Sequence, residues 1–173
     1  MQYLDCTIIN FDEATFRLVP IKQKIWAKKG SKPQLPFWFS STKANIMGAL
    51  VDGKKMFYKW YDKLNAHCFV EFLKKFILTL NKDKKYVFIL DNAPAHRAKM
   101  TKKFIKSVSN NIFIEFIPPY SPQLNCIETC WKITRHDVTS ANFFKTIETL
   151  KDGVEMFLDN TFFMLNPSNY LSR

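Results

Sequence analysis

Three acidic side chains, Asp12, Asp91 and Glu128, stand where a fold could gather them. Asp91 closes YVFIL (86–90), a short apolar run of the kind buried on both faces of a sheet. Asp12 follows an apolar stretch with Ile8, Ile9 and Phe11, which reads as a strand over 3–11. In open α/β sheets, ligand-binding groups collect just beyond the carboxyl ends of strands. Two aspartates at neighbouring strand ends would therefore face one edge, and Glu128, on a helix beginning near Pro122, would swing over it. Oxygen donors without a His or Cys cluster suit a hard divalent cation, Mg²⁺ or Mn²⁺. Two such ions can activate an attacking oxygen and stabilise the leaving one in a phosphodiester displacement. Each acid alone also has a structural reading. An Asp after a strand commonly caps a turn or helix, Asp91-Asn92-Ala93-Pro94 has the composition of such a turn, and a lone Glu128 would be a surface residue.

The elements that must position these acids follow from periodicity and punctuation. A second short strand is expected over 14–21, then an exposed loop from Lys22 to Pro36 containing Gly30 and Pro33. Residues 45–51 and 55–61 read as strands joined at Asp52-Gly53, a hairpin-turn dipeptide. The spacing of Phe69, Phe72, Leu73, Phe76, Ile77 and Leu80 predicts an amphipathic helix over 66–80. After the 86–90 strand comes a basic helix over 95–108, with Met100, Phe104 and Val108 as its apolar line. A second buried strand, IFIEFI (112–117), is stopped by Pro118-Pro119, and a last helix covers 142–158. Strands interleaved with helices imply an α/β domain with a mixed sheet flanked by helices, rather than a sandwich or bundle. The 173 residues fit a single domain, with a core at about 3–140 and a C-terminal helical segment at about 141–165.

Composition narrows the class. Apolar residues are 47% and aromatics 16%, with 17 Phe, which rules out a disordered tail. Four unpatterned Cys do not make a disulfide scaffold, no apolar run spans a membrane, and MQYLDCTIINFD is not a signal peptide. An intracellular domain is expected. The net charge is +11, and 23 of the 26 basic but only 10 of the 15 acidic residues lie in 1–136, a charge of +13 there. The bases cluster at Lys22, Lys24, Lys28, Lys29 and Lys32; at Lys82, Lys84 and Lys85; and at Arg97, Lys99, Lys102, Lys103 and Lys106. Such an excess points to a polyanion, nucleic acid foremost. Any single Lys could equally be a solvated surface residue. The mildly acidic remainder, with Phe157, Phe162, Phe163, Met164 and Leu165, is read as facing protein.

Two longer motifs are specific: DNAPAHRA (91–98) and PPYSPQLNCIETCW (118–131). The chain closely resembles the catalytic domain of IS630-type transposases, in the Tc1/mariner group of the DDE transposase and integrase superfamily. The matching residues are Asp91, Asn92 and His96, then Pro119, Tyr120, Ser121, Pro122, Leu124, Asn125, Ile127, Glu128 and Trp131, with 36 residues between Asp91 and Glu128. DEATF (12–16) looks like the first-aspartate segment, and Trp26 with Gly30 like the element after it. Gln123 and Cys126 depart from residues common in the group, acidic and Pro respectively.

The resemblance implies an RNase H-like fold with Asp12, Asp91 and Glu128 as the catalytic triad, binding two Mg²⁺ or Mn²⁺ ions. Asn92, His96 and Asn125 would support the ligands, and Lys28, Lys29, Lys32, Arg97, Lys99, Lys102, Lys103 and Lys106 would contact DNA. The implied reaction is hydrolysis at transposon ends followed by attack of the freed 3′-OH on target DNA, usually at TA. A homodimer in a prokaryotic cytoplasm or nucleoid is expected, with the C-terminal apolar segment at its interface. Relatives carry helix-turn-helix modules ahead of the first Asp, and eleven residues precede Asp12 here, so a core without that module is expected. Alternatives are a non-catalytic DNA-binding remnant and a general RNase H-like nuclease.

Other residues have competing readings. His96 could meet phosphate or hold a structural hydrogen bond, and Asn125 could serve the site or cap a helix. Glu13 reads as a solvent-facing neighbour of Asp12. Trp131 and Leu124 read as packing beneath Glu128. Cys126 and Cys130 lack a second ligand pair and are not expected to bind zinc. Trp26, Trp38 and Trp60 could stack on bases, with burial favoured for Trp38 and Trp60.

Overall fold

A computed structural model describes residues 5–18, 28–32, 40–108, 111–139 and 144–171. Five strands form one sheet: β1 (Cys6–Arg17), β2 (Lys43–Val51), β3 (Lys55–Tyr61), β4 (Lys85–Leu90) and β5 (Ile112–Phe116), in the order β3-β2-β1-β4-β5. β1, β4 and β5 run parallel, while β2 and β3 are antiparallel to their neighbours. Helix α1 (Ala66–Ile77) connects β3 to β4, and α2 (Pro94–Arg97) with α3 (Lys99–Ser107) connects β4 to β5. The chain then enters a 3₁₀ turn (Pro122–Leu124), α4 (Ile127–Thr134) with a π-helical continuation (Arg135–Thr139), α5 (Ile147–Asn160) and α6 (Ser168–Leu171).

Two aromatic-rich cores cover the sheet faces. On one, the Phe11 ring meets Phe69, Phe72 and Phe76 of α1 edge-on and Phe88 of β4 at 4.8 Å. On the other, α4 and α5 bury Trp131, Leu150, Val154 and Leu158 against Phe16, Ile46 and Leu50. Alternation along β1 assigns Phe11 to the first face and Asn10, Asp12, Ala14 and Phe16 to the second. Asn65 caps α1 by accepting from the Cys68 amide, and a Thr146–Thr149 capping box opens α5.

The expected mixed sheet with flanking helices is present, and the 45–51 and 55–61 strands and their turn match β2 and β3. Asp52 and Gly53 both have positive φ, 48° and 68°, as a type I′ hairpin turn requires. A β-carbon on Gly53 would lie 2.0 Å from the Leu165 carbonyl oxygen, because the segment after α5 returns to this turn. There Phe163 N–H donates to Lys54 O and Leu165 N–H to Gly53 O.

Several boundaries differ. The strands expected over 3–11 and 14–21 are one strand: the β2 ladder runs without a break through Asp12↔Gly48 and Glu13↔Met47, so Asp12 lies inside β1 rather than past its end. The basic helix over 95–108 is broken at Ala98, whose ψ of 147° is extended, so Arg97 and the lysines sit on separate helices. Met100 is exposed and Thr101 is buried in its place, with its hydroxyl on Ala95 O. β5 is an edge strand with Phe113 and Glu115 exposed, rather than a strand buried on both faces. α1 ends at Ile77 rather than 80, α5 begins after its Thr146 cap, and the helix expected from Pro122 starts only at Ile127. Trp26, Trp38 and most of the Lys22–Pro36 loop lie outside the described residues.

Candidate active site

The parallel β1–β4 ladder ends at Asn10↔Ile89. Continued two residues, that register brings Asp12 level with Asp91. Glu128 occupies the first turn of α4, on the sheet face that Asp12 shares. All three line one cleft of about 350 Å³, whose opposite wall is the loop Ile117–Pro122. The structure thus brings the three expected acids together around one opening.

A buried polar clamp sets the approach of α4 to β1. Asn10 Nδ2 donates to Asn125 Oδ1 (2.9 Å), Asn125 Nδ2 to Phe11 O (3.0 Å), and Cys126 Sγ to Asn10 Oδ1 (3.1 Å). Asn125, expected near the site, is therefore a tie between strand and helix three residues before Glu128. Asn10 was not expected; a polar residue two positions before Asp12 in an apolar strand was its only sequence signal. Below Glu128, the fully buried Trp131 packs over Gly48, the cross-strand partner of Asp12. A β-carbon at Gly48 would lie 2.6 Å from Trp131 Cζ2, so only glycine lets the indole sit there. Leu124 is half-buried against Val87, Ile89 and Ile117, which fits its expected packing role.

On the other side of Asp91 the imidazole of His96 is wholly buried. Its Nδ1 lies 2.6 Å from Asp91 Oδ1, its Nε2 lies 3.2 Å from Glu13 Oε1, and its ring leans against Phe69, tilted 46° with centroids 4.2 Å apart. The Nε2 contact is an ion-pair distance whose geometry falls short of a hydrogen bond. Burial acts to lower the His96 pKa, but the Asp91 and Glu13 carboxylates outweigh it and raise it to about 9. His96 is thus held between two carboxylates that favour its protonated form, and its burial keeps it from reaching a phosphate. The Asp91 pKa is lowered, chiefly by its bond with His96. Glu13 is not solvent-facing as expected: its side chain is 14% exposed and points to His96 from the α1 face.

Asn92 joins the next elements, with Nδ2 donating to Ile117 O (2.6 Å) and Oδ1 accepting from Arg97. The Arg97 guanidinium lies 3.7 Å over the Phe116 ring, so this exposed base is already held in place. Lys28, Lys29 and Lys32 are exposed beside the Gly30 turn, and Lys99, Lys102, Lys103 and Lys106 are exposed on α3. Cys126 and Cys130 are buried, and Trp60 donates from Nε1 to Glu155 Oε1 at 2.7 Å. Tyr58 donates to Asp159, so the acidic α5 faces protein, but within its own chain. Phe163 is buried and Phe157 half-buried in that packing, leaving Phe162 and Met164 exposed.

The electrostatics of Asp12 test whether a cation fits. Burial first, then Glu128, Glu13 and Asp91, hold its pKa well above the ordinary carboxylate value, opposed in part by a backbone hydrogen bond at Glu13. A carboxylate opposed by its own neighbours is one that a divalent cation would relieve. The donors are hard oxygens, as Mg²⁺ and Mn²⁺ prefer. Among the described residues no group of three Asp, Glu, His or Cys side chains stands, as placed, close enough together to hold a metal ion. The hard oxygen donors lining the cleft fit a cation that keeps part of its water shell and shares a phosphate.

The sheet order, with helices on both faces and the acid cleft at the β1–β4 boundary, defines an RNase H-like domain. A family model described as DDE superfamily endonuclease matches residues 7–151, and the chain belongs to that family. It is a distant relative of the "Insertion element IS630 uncharacterized 39 kDa protein" of Shigella sonnei, 23% identical over 149 residues, covering 86% of this chain and 43% of that protein. The fold matches that of the mariner Mos1 paired end complex with Mg at a TM-score of 0.76 and 17% identity, over 96% of this chain and 52% of the other. The Mos1 mariner transposase catalytic domain alone gives 0.66 and 15%, over 95% and 74%. The chain thus spans about half the length, or less, of these longer relatives.

Proposed function

We propose that this chain is a DNA transposase catalytic domain that hydrolyses phosphodiester bonds at transposon ends and joins the freed 3′-OH to target DNA. The observation that carries the reading is the acid cleft itself: Asp12, Asp91 and Glu128 converge on one opening in a protein of net charge +11. Asp12, Asp91 and Glu128 would hold two Mg²⁺ or Mn²⁺ ions. When bound, the ions activate the attacking oxygen, stabilise the leaving one and offset repulsion between carboxylates and phosphate. His96 and the Ala93 amide both engage Oδ1 of Asp91, which lines the cleft, while the Asn10–Asn125 clamp and Trp131 fix the helix that carries Glu128. The exposed lysines near Gly30 and on α3 supply phosphate contacts that hold DNA without reading its sequence.

The Mos1 relatives are described with Mg or Mn and with a left transposon end in a paired-end complex, which supports the metal and the DNA partner for this chain. Two ends reacting together imply a homodimer, checked by sedimentation with and without DNA ends. The decisive experiment is Mn²⁺-dependent cleavage of end-containing duplex DNA. Asp91→Asn, Asp12→Asn and Glu128→Gln are each expected to lower the rate about a thousandfold or more. Cleavage undiminished in Asp91→Asn removes the triad assignment. A preference for RNA–DNA hybrid over duplex would instead favour a general nuclease.

A further inference from the structure

Tyr120 is the feature of the cleft that the carboxylates do not explain. It lies on the rim formed by Ile117–Pro122, lines the same opening as Asp12, Asp91 and Glu128, and is fully exposed. Among the described residues its hydroxyl has no hydrogen bond and its ring no aromatic contact. Its φ is +57°, a left-handed conformation that a β-carbon disfavours and that bulky residues rarely adopt. Prolines at 118, 119 and 122 restrict the loop on both sides, and the Ser121 hydroxyl donates to Pro119 O. A large aromatic ring is thus held outward, in a strained backbone, at the mouth of a basic protein's acid cleft. Burial explains none of this, and backbone strain at such a place is the mark of a functional constraint.

We propose that Tyr120 is a stacking platform for the nucleobase next to the reacting phosphate, so that the domain prefers DNA ends whose terminal base is unpaired. A base inside a duplex has its faces covered by neighbours, whereas a frayed or displaced end base offers one. Ring-on-base stacking tolerates any base, which suits a site whose other contacts are to phosphates. The inference rests on the proposed DNA-cleaving function and adds a determinant of which ends are favoured.

The test uses the full chain and a duplex oligonucleotide with 2-aminopurine as the 3′-terminal base, either mispaired or paired, in Ca²⁺ to separate binding from chemistry. Wild type is expected to quench the mispaired probe and to bind it more tightly than the paired one. Tyr120→Ala is expected to weaken binding of the mispaired probe about five- to hundredfold and abolish quenching, with little change for the paired probe. Tyr120→Phe and Tyr120→Trp retain both signals and Tyr120→Leu loses them, since a ring face and not a hydroxyl or mere apolarity is required. An unquenched mispaired probe with wild type overturns the proposal, as does Tyr120→Leu behaving like wild type or Tyr120→Phe like Tyr120→Ala. Melting temperatures of the variants verify folding. Asp91-dependent cleavage with an unquenched probe removes only the Tyr120 assignment. Quenching without Mn²⁺-dependent cleavage removes the nuclease reading and leaves Tyr120 as a DNA contact.

Discussion

At the scale of single residues, Asp12 and the buried thiols make the sharpest expectations. Asp12 is an anion disfavoured by burial and by Glu128, Glu13 and Asp91. In chelator at neutral pH, Asp12→Asn is therefore expected to raise the melting temperature by about 2–4 °C, the equivalent of about 1 kcal/mol in a domain of this size. Mn²⁺ is expected to raise the melting temperature of wild type and to leave that of Asp12→Asn nearly unmoved. Differential scanning fluorimetry reads both, and equal Mn²⁺ shifts in the two proteins would place the ion elsewhere. Burial also raises the Cys126 thiol to about 12 and pushes Cys130 further in the same direction. The thiolate is the reactive form, so at pH 8 neither is available. Titration with a disulfide reagent is expected to modify only Cys6 and Cys68 promptly in the folded protein, and Cys126 and Cys130 only on unfolding.

At the scale of elements, the site depends on how closely α4 approaches β2. The Trp131 indole occupies the space a β-carbon at Gly48 would take, and Glu128 sits one turn before it. Gly48→Ala is expected to destabilise the fold by about 1–3 kcal/mol by overpacking, read from the urea midpoint. Combining it with Trp131→Phe is expected to cost less than the sum of the two single changes, because both act on the same close approach. Additive effects would deny the coupling. The same elements show what sequence could convey. Asp52-Gly53 announced its hairpin because a type I′ turn requires particular residues at adjacent positions. That Asp12, Asp91 and Glu128 share one cleft was legible from residue type, the apolar run before Asp91 and the 118–131 motif, although Asp12 lies within its strand rather than past its end. Asn10 was not, since its partners Asn125 and Cys126 are more than a hundred residues away. Glu13 was misread for a related reason: its neighbour His96 reaches it from a helix beyond β4. The continuity of β1 through Asp12 depends on its β2 partner, and the exposure of β5 on strand order, neither of which is a property of the local residues.

At the scale of the molecule, an acid-lined cleft sits in a chain whose net charge is +11. Lys99, Lys102, Lys103 and Lys106 lie on one short helix, exposed together. Replacing all four with Gln is expected to weaken DNA binding at low salt. The slope of log affinity against log salt should fall by about 0.9 for each phosphate that is no longer neutralised. A titration over several salt concentrations measures it, and an unchanged slope would exclude α3 from the DNA track. The parallel pairing of β1 with β4 has a kinetic consequence. Asp12 and Asp91 are separated in sequence by β2, β3 and α1, and they come level only once β4 has paired beside β1. Glu128 is fixed later still, through a clamp that spans 115 residues of sequence. Such long-range closures are late and slow. The cleft lined by Asp12, Asp91 and Glu128 is therefore absent from every partly folded form lacking the β1–β4 ladder, so the proposed DNA cleavage requires the complete fold.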